Sequence, residues 1–188
     1  MDLFMAIQGR RTVRKFEQRP VEKDKIMLLL EAARLASSGG NLQPLRYLVI
    51  QNPELVKKLL AVTQWAAQVK PHRDPIPGKT APLMFIAVTK KAGSNPQVEA
   101  GAAIENLQLA AYGLGLGCCW IGAYDHRQAD GILELKDMET IYLVAVGYPA
   151  EVPVLENVGR AGSIKYYLDD HDVLHMPKYR IEAITEWR

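Results

Sequence analysis

Four cations and one hydroxyl lie within eight residues near the start of the sequence, at positions 9–16. The four-residue spacing of Arg10 and Arg14 places both side chains on one side of a helix and also on one side of a strand. In an extended stretch Thr12 joins them, whereas Arg11 points away. Guanidinium groups with a hydroxyl between them suit a phosphate, which accepts paired hydrogen bonds. The stretch predicts a site for a small phosphorylated ligand, although a solvated basic turn has the same composition.

A second cationic pair lies near the other end of the chain. Lys178 and Arg180 are two residues apart, like Arg10 and Thr12, and Pro177 fixes the backbone just before them. A charged tail is the alternative interpretation. If the two ends of the chain meet, the two clusters form one anion site.

Composition limits the possible partners of such a site. The 188 residues suit a single domain, residues 1–188. Because 23 Lys and Arg face 21 Asp and Glu, the net charge of +2 provides no field for nucleic acid or an anionic membrane. The two adjacent cysteines cannot build a disulfide framework, and no signal or membrane-spanning pattern is evident. We therefore expect a cytoplasmic protein.

Other candidate motifs are weaker. Gly113, Gly115 and Gly117 end a helix and precede a strand, which is the reverse of the order in a dinucleotide fingerprint. The pair at 118–119 could be reactive, but cysteines in a short strand usually act as small hydrophobic residues. The histidines at 171 and 175, although flanked by aspartates, match no strict ligand motif, so we predict no metal site.

Hydrophobic spacing and turn residues predict alternating helices and strands, which favours mixed α and β layers. Helices are predicted over residues 3–9, 23–36, 53–65, 97–114 and 126–136, and strands over 45–51, 83–89, 118–123 and 140–146. Residues 70–82, with four prolines, predict a loop. Residues 166–170 predict a surface hairpin or loop, and residues 177–180 should lead into a short C-terminal helix.

Five segments, in their order and spacing, resemble the FMN-dependent nitroreductase family. They are residues 10–16, 37–44, 81–82, 115–122 and 177–180. The resemblance covers essentially the whole chain. It implies an α+β protein with a three-layer α/β/α nitroreductase-like fold around a central, mostly antiparallel sheet. It also implies a homodimer with two FMN molecules at the interface.

The resemblance also implies roles for individual residues. One subunit would hold the FMN phosphate, and the partner subunit would complete the site from residues 37–43. Arg14 would reach the pyrimidine edge of the flavin and tune it, and the backbone of Gly122 and Ala123 would approach N5. The implied cofactor-binding residues are Arg10, Arg11, Thr12, Arg14, Ser37, Ser38, Asn41, Gln43, Ile121, Gly122, Ala123, Lys178 and Arg180.

The implied activity is that of an oxidoreductase in which flavin carries the chemistry, so no classical catalytic acid or base is predicted. NADH or NADPH would reduce FMN, and a nitroaromatic, a quinone or a similar acceptor would then take the electrons by a ping-pong mechanism. Residues 70–82 and 160–176 are the expected determinants of acceptor choice. Dehalogenation, enone reduction, flavin fragmentation, a noncatalytic flavin-binding role and another phosphate ligand remain alternatives.

Overall fold

The computed structural model describes residues 2–69 and 74–188. The helices are α1 Leu3–Gly9, α2 Lys23–Arg34, α3 Pro53–Val62, α4 Gln97–Gly113 and α5 His126–Ile132. The strands are β1 Arg46–Ile50, β2 Met84–Lys91, β3 Gly117–Ile121, β4 Met138–Gly147, β5 Val154–Val158, β6 Tyr167–Leu168 and β7 Leu174–Tyr179. Short 3₁₀ turns lie at Gly39–Asn41 and Ile181–Ala183.

Four antiparallel strands form the central sheet in the order β1-β2-β4-β3. Alternate residues of β2 pack into different clusters: Ile86 contacts the cluster that includes α2 and α4, and Phe85 the cluster that includes α3 and α5. The prediction that the strand at 83–89 is buried on both faces is confirmed. Helices over both faces explain why an antiparallel strand reads as a continuous apolar run.

The predicted helices are all present, but three are shorter than expected. The second ends at Arg34, and the helix from Pro53 ends at Val62. Trp65 lies beyond that helix and is buried, donating from Nε1 to Thr63 Oγ1 at 2.7 Å. The fifth helix ends at Ile132 rather than residue 136. Within residues 2–69 and 74–188, no helix is both long and apolar enough to span a membrane.

The basic stretch after α1 runs in extended conformation along β3. Val13 N donates to Cys118 O at 2.9 Å, and Phe16 N donates to Thr80 O at 3.0 Å. Gly117 leaves room for the first of these side chains, because a Cβ there would lie 2.7 Å from Val13 Cγ2. Both side chains are buried. Apolar anchors therefore fix the backbone from which the cations project.

The C-terminal region differs most from the prediction. It forms a second sheet in the order β5-β7-β6, in which β5 and β7 are parallel and β6 pairs antiparallel with β7. The predicted hairpin is confirmed as β6-β7, but β5 was missed. The predicted C-terminal helix is wrong: Pro177 and Lys178 belong to β7, and Ile181–Ala183 make one 3₁₀ turn.

A proline is compatible with β7 because of its position. At Pro177 the strand pairs with Glu156 of β5, whereas β6 pairs with β7 only at Leu174 and His175. The missing N–H of proline is tolerated where one side of a strand has no neighbour. Of the predicted loop at 70–82, residues 74–82 contain no helix or strand, and residues 70–73 lie outside the described residues.

Candidate functional site

A small cavity of about 140 Å³ lies between the basic stretch, α4 and the start of β3; we call it the arginine cavity. Arg10 and Arg11 both line it, together with Tyr112 of α4 and Cys118 of β3. Arg10 Nε lies 3.1 Å from Glu105 Oε1, an ion pair without the alignment of a hydrogen bond. The structure therefore places two adjacent arginines in the lining of one cavity that is large enough for a phosphate-sized group.

Arg11 lines this cavity, although extended geometry alone predicts that its side chain points away from that of Arg10. It donates through Nη1 to Arg10 O and through Nη2 to Gln8 O, the latter at 2.7 Å. Its Nε is buried and has no hydrogen-bond partner in the described structure. Burial, and then the neighbouring charge of Arg10, lower the pKa of the Arg11 guanidinium. An anion in the cavity would relieve both effects.

Arg14 belongs to the basic stretch but does not line this cavity, and it lies close to residues 166–172, which we call the C-terminal segment. Its backbone N donates to Glu151 Oε1 at 2.5 Å, and its guanidinium carbon lies 5.2 Å from the centre of the Tyr166 ring. Its Nη1 is buried and makes no hydrogen bond to any described residue. Arg14 thus has a fixed backbone, a supported guanidinium and a donor available for a polar ligand.

Lys178 and Arg180 are exposed at the end of β7 and do not line the arginine cavity. Arg180 N donates to Val158 O at 2.9 Å, which continues the pairing with β5. Thr12 lies in the basic stretch, where its backbone forms a parallel β-bridge with Cys118. Within the described residues, Arg14 contacts the Tyr166 ring and Lys15 pairs with Asp172 at 2.6 Å, and both contacts connect the basic stretch to the C-terminal segment.

The segment at 37–43 lines a separate cavity of about 390 Å³ against α2, α4 and β1, which we call the serine cavity. Ser37, Ser38 and Gln43 line it. Gln43 N donates to Ser38 Oγ at 3.1 Å, and Gln43 Nε2 to Asn41 Oδ1 at 3.3 Å. Asn41 and Gln43 have φ of 55° and 47°, a left-handed conformation that is costly for glutamine. One chain does not bring this segment to the arginine cavity.

The end of β3 contributes to a third opening. Ile121 is buried, whereas Gly122 and Ala123 are exposed just beyond the strand. Gly122 lines a polar cavity of about 500 Å³ with His126 and Tyr142. A Cβ at Gly122 would lie 3.3 Å from Tyr142 Cε1, so a small residue keeps this backbone accessible.

Neither cysteine has the properties of a reactive thiol. Both are buried in β3, and burial raises the pKa of Cys118, and that of Cys119 to about 11. His175 lies between two carboxylates, with Nδ1 2.8 Å from Glu156 Oε1 and Nε2 3.2 Å from Asp169 Oδ2. His171 is exposed in the preceding turn.

Two residues of this site carried little sequence signal. Glu151 Oε1 accepts from the backbone of both Arg14 and Lys15, and the Tyr166 ring makes a cation–π contact with Arg14, although each lies more than 130 residues further along the chain. Glu151 lies between Pro149 and Pro153, which indicates a rigid turn but does not indicate a contact with the basic stretch. The adjacent tyrosines Tyr166 and Tyr167 gave no indication in the sequence of a contact with the basic stretch.

Comparison with known proteins identifies the fold. A model of the nitroreductase family matches residues 7–148, well over half of the chain. A relative from Methanothermobacter thermautotrophicus, provisionally named NADH dehydrogenase/NAD(P)H nitroreductase, is 30% identical over 189 aligned positions that cover 95% of this chain and 88% of the relative. The 5,6-dimethylbenzimidazole synthase of Rhodospirillum rubrum is 26% identical over 180 positions, covering 81% of this chain and 85% of that protein.

A solved structure from Desulfovibrio desulfuricans, provisionally named a nitroreductase and determined in complex with FMN, is 30% identical with a TM-score of 0.66. The match covers 80% of this chain and 88% of that one. The α+β arrangement with an antiparallel sheet is therefore the nitroreductase fold, as the sequence resemblance implied. The chain belongs to the nitroreductase family and is an oxidoreductase enzyme.

Proposed function

We propose that this oxidoreductase binds FMN, takes electrons from NADH or NADPH, and reduces a nitroaromatic, a quinone or a similar acceptor by a ping-pong mechanism. The observation that carries the proposal is the set of buried donors in the basic stretch. Arg11 Nε and Arg14 Nη1 are buried without a hydrogen-bond partner in the described structure, and Arg10 and Arg11 share one cavity. Buried cationic donors of this kind suit a ligand that carries a phosphate and ring oxygens.

Bound FMN would supply the redox chemistry, accepting a hydride from the nicotinamide and passing electrons to the acceptor. The chain would bind and orient it. Arg10, Thr12, Lys178 and Arg180 would hold the phosphate, and Arg10 is the one of these four that lines the arginine cavity, with Arg11 beside it. Arg14 would face the pyrimidine edge, where its charge favours the reduced state. The exposed backbone at Gly122 and Ala123 would lie near N5, and Ile121 would anchor it.

We further propose a homodimer of single-domain subunits in which Ser37, Ser38, Asn41 and Gln43 complete the partner's site. Their distance from the arginine cavity within one chain supports this arrangement. So do exposed apolar side chains, including Phe4 of α1 at 68% and Trp187 near the C-terminus at 95% exposure. The two core clusters on opposite faces of the sheet support three layers. The buried adjacent thiols suit a reducing cytoplasm.

Another flavin reaction on the same fold is the second candidate. The similarity to a 5,6-dimethylbenzimidazole synthase, a protein named for a different product, favours it. The two candidates share the cofactor site and differ in the reaction of the reduced flavin. Sustained oxidation of NADH or NADPH with a quinone acceptor would support the first candidate and exclude a noncatalytic flavin-binding role, whereas fragmentation of the flavin itself would support the second.

The test is an absorbance spectrum of the purified protein, then titration with FMN and with riboflavin, which lacks the phosphate. We expect a flavin spectrum and markedly tighter binding of FMN than of riboflavin, because the cations of the arginine cavity contact the phosphate. Protein that is colourless and does not bind added FMN would overturn the proposal. Equal affinity for FMN and riboflavin would show that the arginine cavity does not bind the FMN phosphate.

A further inference from the structure

We propose that Tyr166 is a positioning residue for Arg14, setting the plane of its guanidinium while leaving the N–H donors free for a ligand. This inference rests on the proposed function, because it takes the ligand to be FMN. The guanidinium carbon of Arg14 lies 5.2 Å from the centre of the Tyr166 ring. That distance is within the range of cation–π contacts, which are strongest where the cation is partly desolvated. Both residues are half-buried.

The backbone of Arg14 is held independently of its side chain. Glu151 Oε1 accepts from Arg14 N at 2.5 Å and from Lys15 N at 3.1 Å. These contacts fix where the side chain begins but not how the guanidinium is rotated. Four rotatable bonds separate the two, so a second contact is needed to orient the charged group.

A ring is well suited to that task. A carboxylate partner would consume two N–H donors of the guanidinium and neutralise its charge, whereas a ring with the guanidinium carbon over its face leaves the in-plane donors and the charge available. The buried Nη1 of Arg14 has no hydrogen-bond partner in the described structure, in agreement with this arrangement. Tyr166 therefore supports the cation without competing with the ligand.

The hydroxyl of Tyr166 makes a weaker contact. It accepts from Gln68 N at 3.3 Å, beside a turn closed by Val69 N donating to Ala66 O at 2.9 Å. A neutral hydrogen bond of this length contributes little. The ring should therefore carry the effect, and the hydroxyl should be dispensable.

The nearby ion pair provides a matched control. Lys15 and Asp172 also join the basic stretch to the C-terminal segment, with 2.6 Å between Lys15 Nζ and Asp172 Oδ2. Asp172→Asn weakens that attachment and leaves the ring in place. If Tyr166 acted only by docking the segment, Asp172→Asn and Tyr166→Leu would have the same effect on the flavin.

The experiment compares wild type, Tyr166→Phe, Tyr166→Leu and Asp172→Asn in two measurements. In the apoprotein, the Arg14 Nε–H NMR resonance, assigned by its loss in Arg14→Ala, should move in Tyr166→Leu and stay in place in the other two variants.

In the FMN-loaded protein, Tyr166→Leu should lower the preference for reduced over oxidised cofactor by about threefold. At about 30 mV per tenfold for a two-electron couple, that is a midpoint roughly 14 mV more negative.

Several outcomes would overturn the inference. They are an unmoved Arg14 resonance in Tyr166→Leu, an equal potential shift in Asp172→Asn, or a shift in Tyr166→Leu that persists when Arg14→Ala is combined with it. If Tyr166→Leu fails to fold, a changed resonance or potential in Tyr166→Phe contradicts the proposal by itself. Failure to bind FMN in wild type would overturn the proposed function, whereas the apoprotein resonance tests Tyr166 independently.

Discussion

Arg180 is an exposed cation that should contribute to cofactor binding and not to the fold. Its backbone pairs with Val158, and its side chain is exposed to solvent. We expect Arg180→Ala to weaken FMN binding by about 1.5 to 3 kcal/mol, the contribution of a hydrogen bond to a charged group. The midpoint of thermal unfolding of the apoprotein should not change. FMN fluorescence titration and calorimetry make the two measurements.

Arg188→Ala is the matched control for that variant. Arg188 is a highly exposed cation near the same terminus and pairs with Glu186 at 3.1 Å. Its loss should change neither affinity nor stability, since exposed ion pairs contribute little. FMN binding that is equally tight in Arg180→Ala and in wild type would remove Arg180 from the phosphate site.

At this scale the sequence predicted the cations but not their neighbours. The basic stretch stood out because Arg10, Arg11 and Arg14 lie close together in the chain. Glu151 and Tyr166 could not be identified, because their roles depend on contacts across more than 130 residues. Strand periodicity also did not anticipate the contacts of Arg11, whose guanidinium donates to backbone oxygens at the end of α1 while the residue lines the arginine cavity.

Among the elements, the contact between the basic stretch and β3 depends on one glycine. A Cβ at Gly117 would lie 2.7 Å from Val13 Cγ2, closer than packing allows. We expect Gly117→Ala to destabilise the protein by about 1 to 3 kcal/mol, the usual cost of overpacking, and to weaken FMN binding by displacing the stretch. Urea unfolding and FMN titration measure both effects.

The neighbouring Gly113 offers the comparison. It is the last residue of α4, and a Cβ there would meet no atom within 4 Å. Gly113→Ala should be neutral or stabilise by about 0.5 to 1 kcal/mol, because alanine loses less backbone entropy in a helix. In the double variant Val13→Ala with Gly117→Ala, part of the FMN affinity should return. If Gly117→Ala were as stable as wild type, Gly117 would not limit this packing.

The second sheet contains a pH-sensitive contact. His175 of β7 lies between Glu156 of β5 and Asp169 of the β6-β7 turn, and Tyr167 stacks on its ring at 4.8 Å. The hydrogen bond to Asp169, and then that to Glu156, raise the pKa of His175 above 6.5. The pKa of Glu156 is lowered, first by the Tyr167 hydroxyl, and that of Asp169, first by the backbone N–H of Val173.

These shifts give the direction of the pH dependence. The stabilisation from His175 is fully present below pH 6.5, the ordinary pKa of histidine, and is lost as the pH rises through the pKa of the folded state, which is higher. That from the carboxylates is present above 4.5 and is lost as the pH falls through their lower folded values. The advantage of wild type over His175→Gln in unfolding midpoint should therefore be larger at about pH 5.5 than at about pH 9. An advantage independent of pH would show that the contact does not depend on charge.

The central elements were more predictable than the second sheet for a physical reason. Strand β2 and helix α4 bury long apolar runs, so the sequence pattern that predicts each element lies within the element itself. In β5 and β7 most residues are exposed or half-buried, and the strands contain Asn157, Lys178 and a proline. Their pairing depends on a parallel partner about 20 residues away. Local propensity therefore favoured a loop and a helix there.

For the whole molecule, the proposed site needs two chains. The arginine cavity and the serine cavity are separate in one chain, and exposed apolar side chains on α1, on α2 and near the C-terminus could bury against a second copy. In α1, in α2 and after residue 180, the exposed large apolar side chains are Leu3, Phe4, Met5, Ile7, Met27, Leu28, Ile181, Ile184 and Trp187. Sequence reasoning reached this arrangement only through the family resemblance, because neither cavity indicates its partner.

Subunit mixing tests the shared site directly. A variant with Arg10→Ala and Arg180→Ala loses the phosphate cations, and a variant with Ser38→Ala and Asn41→Ala loses the segment assigned to the partner; each alone should bind FMN weakly. In a mixed dimer one of the two sites takes its cations and its segment from unaltered sequence. Random re-association of equal amounts should therefore restore tight binding at about one quarter of the sites, measured by flavin fluorescence quenching. If the mixture binds no more FMN than the separate variants, cations and segment act within one chain and the shared site is wrong.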